Sequence, residues 1–124
     1  MKTGNQIILM ACLIFLCAPC KTSAQGANFS DADREFLIRL ARNTLTRYLK
    51  DGSILKIDEK RVSENLRANG ACFVTLTKKG TGLRGCIGIF ERRLPLYQNV
   101  IDRAISAAVH DPRFPKVRYE ELKD

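Results

Sequence analysis

The sequence predicts an α+β fold: a β-hairpin, the start of an antiparallel sheet, flanked by two amphipathic helices. Three observations carry this. Leu37, Leu40, Ala41, Thr44, Leu45 and Tyr48 recur at helical spacing. Leu96, Val100, Ile101, Ala104, Ile105, Ala108 and Val109 do the same further along. Between them lie ACFVTLT (71–77) and LRGCIGIF (83–90), two β-rich runs separated by the turn material KKGTG. Helix, hairpin, helix is the order of an α+β domain.

Each element has its own boundary signals. The first helix spans 31–50: Ser30 suits the N-cap, Asp31 and Asp33 sit near the positive end of the dipole, and Gly52 suits the C′ position. Residues 53–69 read mostly as loop, with a strand-like stretch at 54–57 and a helical turn or two at 62–68. Gly80 and Gly82 fall in the hairpin turn, where positive φ is accessible to glycine. Pro95 suits the first turn of the second helix, and Asp111-Pro112 stops it. Two strands alone do not make a stable sheet, so the chain reads as short of a finished core.

The first 24 residues read as a leader. Lys2 precedes the unbroken apolar run IILMACLIFLCA, and Thr22-Ser23-Ala24 offers small residues for cleavage. The run is short for a membrane span. The expectation is therefore an exported protein with a signal peptide at 1–24, a domain at 25–124 and no membrane association after cleavage. Removal of Lys2 and Lys21 lowers the net charge from +8 to +6. It also takes Cys12, Cys17 and Cys20, leaving Cys72 and Cys86. Cys17 and Cys20 have redox spacing but no strand–helix context around them. The basic balance fits a solubilising surface better than a nucleic-acid partner, because no basic stripe with interleaved aromatics exists.

The glycines of Gly80-x-Gly82-x-x-Gly85 do not form a phosphate cradle. A dinucleotide loop needs a helix after its last glycine, and here a strand follows. A kinase-type glycine loop lacks its lysine and aspartates. Gly85 and Gly88 are different, because strand-interior glycines mark a bulge or a close approach of backbone or ligand. Alternation puts Arg84, Cys86 and Gly88 on one face, with Leu83, Gly85, Ile87 and Ile89 toward the core. Cys86 then has two readings: a thiol activated by the Arg84 guanidinium, or a small buried hydrophobe. A Cys72–Cys86 disulfide requires the two to face each other, which only a turn at 78–80 allows. His110 reads as a solvated helix end, and no His/Cys spacing suggests a metal. Adjacent Glu120 and Glu121 do not form a carboxylate pair. Arg113 suits an anion or a loop clamp, and the clamp is favoured.

The string GACFVTLTKKGTGLRGCIGIF, followed by DPRFPKV and a terminal Glu-Leu, resembles the AMMECR domain family. The resemblance rests on Leu83-Arg84-Gly85-Cys86-Ile87-Gly88, on 70–76 before it and on Asp111-Pro112-Arg113-Phe114-Pro115 after it. It implies an α+β sheet flanked by helices, and a domain that continues for roughly as many residues again. It also implies the setting of protein A of the AmmeMemoRadiSam system, with a Memo-like protein and a radical S-adenosylmethionine protein as partners. It implies no reaction and no cofactor. Cys86 and Arg84 carry over as the candidate catalytic pair, and Gly85, Gly88, Asp111 and Arg113 as ligand-binding residues. The alternatives are a non-catalytic interaction domain, with Gly85 and Gly88 admitting a partner chain, or a truncated product.

Overall fold

A computed structural model describes residues 7–10 and 28–122. Helix α1 spans Asp31–Asp51 and is closed at both ends by its own sequence. Ser30 Oγ accepts the Asp33 N–H while Asp33 Oδ2 accepts the Ser30 N–H, a reciprocal capping box. Gly52 ends the helix at φ 77°, where its N–H reaches the Tyr48 carbonyl. The following segment is irregular, with a 3₁₀ turn at Glu59–Arg61 and a single helical turn, α2, at Glu64–Arg67. The 54–57 stretch is not a strand. Ser63 Oγ donates to Asp33 Oδ1 at 2.6 Å, so the start of α1 also fixes the start of α2.

The hairpin consists of β2 (Cys72–Lys78) and β3 (Gly82–Ile89), paired antiparallel. Gly80 and Gly82 both have φ 83°, as the turn requires. A third strand, β1 (Ile7–Met10), pairs antiparallel with the outer edge of β2, giving the order β1-β2-β3. β1 lies inside the segment expected as a leader, and residues 1–6 and 11–24 of that segment lie outside the described residues. Cys12, Cys17, Cys20 and the cleavage motif at 22–24 are among them. Among the described residues no helix is long and apolar enough to cross a membrane.

Helix α3 (Leu96–Val109) lies across one face of the hairpin, and α1 packs against α3. Cys72, Val74 and Leu76 of β2 join Leu40, Ala41 and Leu45 of α1 and Val100, Ala104 and Ile105 of α3 in one buried cluster. Each large aliphatic side chain there contributes about 1.5–3 kcal/mol by leaving water. Segment 110–118 folds back along the end of α3, where the Val117 N–H donates to the Ala108 carbonyl. A last 3₁₀ turn, Tyr119–Leu122, contacts α1.

The face assignment of β3 needs correction. Leu76 pairs with Gly85, but Thr77 pairs with Leu83, so Arg84 is an extra residue in a bulge. The bulge shifts the parity of everything before it. Gly85 and Ile87 face α3 as expected. Leu83, expected in the core, is turned out and 41% exposed. Arg84 leaves the face that carries Cys86. The register also sets Cys72 opposite Ile89 and Cys86 opposite Thr75, and the two thiols are not joined.

Candidate functional site

The two motifs meet at the outer edge of β3. Among the described residues that strand has no further strand beside it, so its outward peptide groups need other partners. Asp111, just past α3, supplies one: its Oδ2 accepts the Cys86 N–H at 2.9 Å. Arg113 Nη2 approaches the Cys86 carbonyl at 3.4 Å. A carboxylate and a guanidinium thus stand where a neighbouring strand's carbonyl and amide would be. Arg113 also grips Asp111 with its backbone N–H (3.1 Å), Nε (3.0 Å) and Nη2 (2.8 Å). These bonds, with the Cys86 amide, hold the Asp111 carboxyl well below the usual carboxylate range. The Asp111 carboxylate in turn raises Arg113 above its ordinary value. Asp111 is buried, while the Arg113 side chain stays 55% exposed and lies 5.5 Å over the Phe114 ring. This is the clamp.

Arg84 is engaged elsewhere. Its Nε and Nη2 donate to the two oxygens of Glu121 at 3.0 and 2.9 Å, a planar fork, and Nη1 donates to the Pro115 carbonyl at 2.8 Å. Lys78 Nζ lies 3.6 Å from the same carboxylate, and the Arg118 N–H donates to it at 3.0 Å. Arg84 and these neighbours pull the Glu121 carboxyl down to about 2. Arg84 therefore ties the bulge to the last described turn, Tyr119–Leu122. It is not the neighbour of the Cys86 thiol, because the bulge and the Glu121 fork draw it to the helix side.

The Cys86 sulfur, half-buried, instead meets Thr75 Oγ1 at 3.3 Å across the strands. The interior glycines are filled from within. A Cβ on Gly85 would lie 2.1 Å from the Ala107 carbonyl oxygen, so glycine is what lets α3 settle onto the sheet. A Cβ on Gly88 would meet the Phe73 ring at 2.1 Å. Phe73 is held there edge-on to Phe90, with centroids 4.8 Å apart. Close approach is thus the reason for both glycines, but what approaches is this chain's own backbone and ring.

Asp111, Arg113, Cys86 and Gly85 are brought together. Arg84 is held at the helix-side end of the hairpin, and His110 is exposed at the end of α3. Glu121 and Thr75 were missed. Register could have found Thr75 once the turn was fixed. Glu121 stands 37 positions from Arg84, and no local pattern announces the pair. Among the described residues no group of three His, Cys, Asp or Glu side chains is placed to hold a metal. A groove of about 490 Å³ between Ile54, Leu55, Leu94, Tyr97 and Ile101 involves neither motif.

Comparison with other proteins covers most of the chain, the hairpin and its clamp included. A family model described as AMMECR1 matches residues 38–124. The chain belongs to the AMMECR1 family. Protein MK0488 of Methanopyrus kandleri is 43% identical over 103 residues, covering 79% of this chain and 49% of that protein. A Methanococcoides burtonii protein is 47% identical over 96 residues, covering 77% and 46%. The crystal structure of the uncharacterized protein PH0010 from Pyrococcus horikoshii superposes with a TM-score of 0.71 at 41% identity, covering 75% of this chain and 47% of that one. The chain thus spans about half the length of these relatives, and its α+β fold matches that of the Pyrococcus horikoshii protein.

Proposed function

We propose that this AMMECR1-family chain is an interaction component of an AmmeMemoRadiSam-type assembly, rather than a thiol enzyme. Its partners would be a Memo-like protein and a radical S-adenosylmethionine protein, and its binding surface the hairpin face around Phe73 and Phe90. The observation that carries this reading is where the polar residues of the two motifs point. Arg84 is spent on Glu121, and Asp111 on Arg113 and the Cys86 amide. A thiol enzyme needs an activating group at the sulfur; the sulfur's hydrogen-bond partner is the Thr75 hydroxyl, and Arg113, though near, is committed to Asp111 and the Cys86 carbonyl. What stays outward is an aromatic pair whose Phe90 is 80% exposed, the kind of residue that anchors protein interfaces. An exported setting, from the apolar leader, is part of the proposal. N-terminal sequencing that finds Met1 retained would count against it.

The test is capture of the Memo-like protein by the tagged chain, alongside iodoacetamide labelling of Cys86. Cys86→Ser is expected to keep capture, and Phe90→Ser to weaken it at least tenfold. Rapid labelling of Cys86, together with loss of capture in Cys86→Ser, would overturn the reading and return Cys86 to a chemical role. The residue that would then assist it is Arg113, whose guanidinium lies beside the Cys86 peptide.

A further inference from the structure

Asn69-Gly70 is the one place in the sequence where glycine follows asparagine. Asparagine is a thermally labile residue. A following glycine makes it more so, because no Cβ shields the peptide nitrogen or restricts its rotation. The reaction is internal. The Gly70 nitrogen attacks Asn69 Cγ, a C–N bond forms, the Cγ–Nδ2 bond breaks, and ammonia leaves with the Gly70 amide proton. Water then opens the five-membered imide at either carbonyl. One product has aspartate at 69. The other is isoaspartate, whose main chain runs through the side-chain carbon and is longer by one methylene.

The fold places this pair where the approach to β2 meets the start of α3. Asn69 lies opposite Pro95 in an isolated antiparallel bridge. The Gly70 N–H donates to the Leu94 carbonyl at 3.1 Å, and the Leu96 N–H to the Ala68 carbonyl at 2.9 Å. Buried Asn99 ties both sides together, its Nδ2 donating to the Gly70 carbonyl at 2.7 Å and reaching that of Leu94 at 3.4 Å. Asn69 Nδ2 reaches the Arg93 carbonyl at 3.5 Å. Nucleophile and leaving group are therefore both engaged. Packing favours the glycine, since a Cβ at 70 would lie 3.0 Å from Leu96 Cβ. Asn69 itself is exposed, so water, the second reactant, is at hand.

We propose that Asn69 is a deamidation and isoaspartate-forming site held in check by this bridge, reacting through its local openings. The isoaspartate product cannot close the bridge again. Its extra methylene breaks the register between 69 and 95, and a carboxylate faces the Arg93 carbonyl where an N–H donor stood. The step is thus one-way, and an aged chain carries a loosened junction between β2, α3 and the loop before α3. This inference does not depend on the function proposed above. Asp51-Gly52 is the related pair, but an ionised carboxylate is a poor electrophile, and its isomerisation leaves the mass unchanged.

The test is mass mapping of the full chain aged in mildly alkaline buffer. The tryptic peptide 68–78 is read for the mass gain of an amide turned acid, with chromatography separating the two products. Asn69 should convert at least about tenfold faster in urea that unfolds the chain than in the native state. Asn99→Ala should raise the native rate at least about fivefold and raise Gly70 N–H exchange with it. The Val74 N–H, in the hairpin ladder, should keep its protection. If that variant unfolds, Val74 exchange reports it, and a urea series on the parent takes its place: Asn69 conversion must then follow Gly70 N–H exchange at every step. Equal rates in the native and unfolded chain overturn the proposal, as does conversion that ignores Gly70 exchange. An Asn69 that does not react in urea removes the chemistry itself. Parent-like Gly70 protection in the purified isoaspartate chain would overturn the one-way step.

Discussion

The two faces of one hairpin follow opposite rules. On the helix side Val74 and Leu76 are packed against α3, Gly85 accepts its backbone, and Ile87 packs against the same core. On the other side Phe73, Thr75, Leu83 and Cys86 are partly exposed or exposed, and Phe90 stands in solvent. Strand alternation alone supplies this division up to Gly85. Beyond it the division depends on one extra residue, Arg84, held in its bulge by a carboxylate from the far end of the described chain. The helix face is thus specified by volume, and its end by an ion pair.

Four experiments break or sharpen that contrast, from the largest effect to the smallest. Leu76→Ala should cost about 2–5 kcal/mol in denaturant unfolding, because Leu76 is wholly buried, whereas Leu83→Ala should stay within about 0.5 kcal/mol. Equal losses would mean the bulge does not turn Leu83 outward. Gly85→Ala should cost about 3 kcal/mol, because its Cβ meets a backbone oxygen that cannot swing away. Gly88→Ala meets only the Phe73 ring, which can rotate, and should cost about 1 kcal/mol. The reverse ranking would sink this account of the two glycines.

The third experiment is pH. The Glu121 carboxyl is lowered from 4.5 to about 2 in the fold. Its stabilisation is therefore fully present above the unfolded value and lost as pH falls from there toward the folded one. Asp111 adds a slope of the same sign. Glu121→Gln should lose about 2 kcal/mol at pH 7 and show a shallower decline in acid than the parent. An unchanged acid profile would remove Glu121 from the account. Last, Cys86→Ser should move unfolding by less than about 0.5 kcal/mol, since the Thr75 contact lies on the partly exposed face. A loss of several kcal/mol would show that sulfur to be a core atom.

The elements themselves were legible. Ser30, Asp33 and Gly52 announced both ends of α1, and the apolar spacing of α3 named residues that are in fact buried. The hairpin and its glycine turn were equally plain. In the site, Asp111 and Arg113 were singled out as a segment beside Cys86, and they are beside it. The pairing of Arg84 with Cys86 failed, because alternation assumes one residue on each strand for every step. A bulge violates that assumption without leaving a mark in β3 beyond a glycine.

Sequence alone determined what short-range forces decide. Caps, helical periodicity, turn glycines and the stop at Asp111-Pro112 each act within a few residues, and each can be read where it stands. Only the tertiary structure decided which way Arg84 turns, what fills the space beside Gly85 and Gly88, and which edge of the sheet is closed. Those outcomes depend on segments dozens of residues apart meeting at a particular depth and register. The depth comes from how closely α3 can approach Gly85, and the register from where Glu121 and Asp111 arrive once the core has packed.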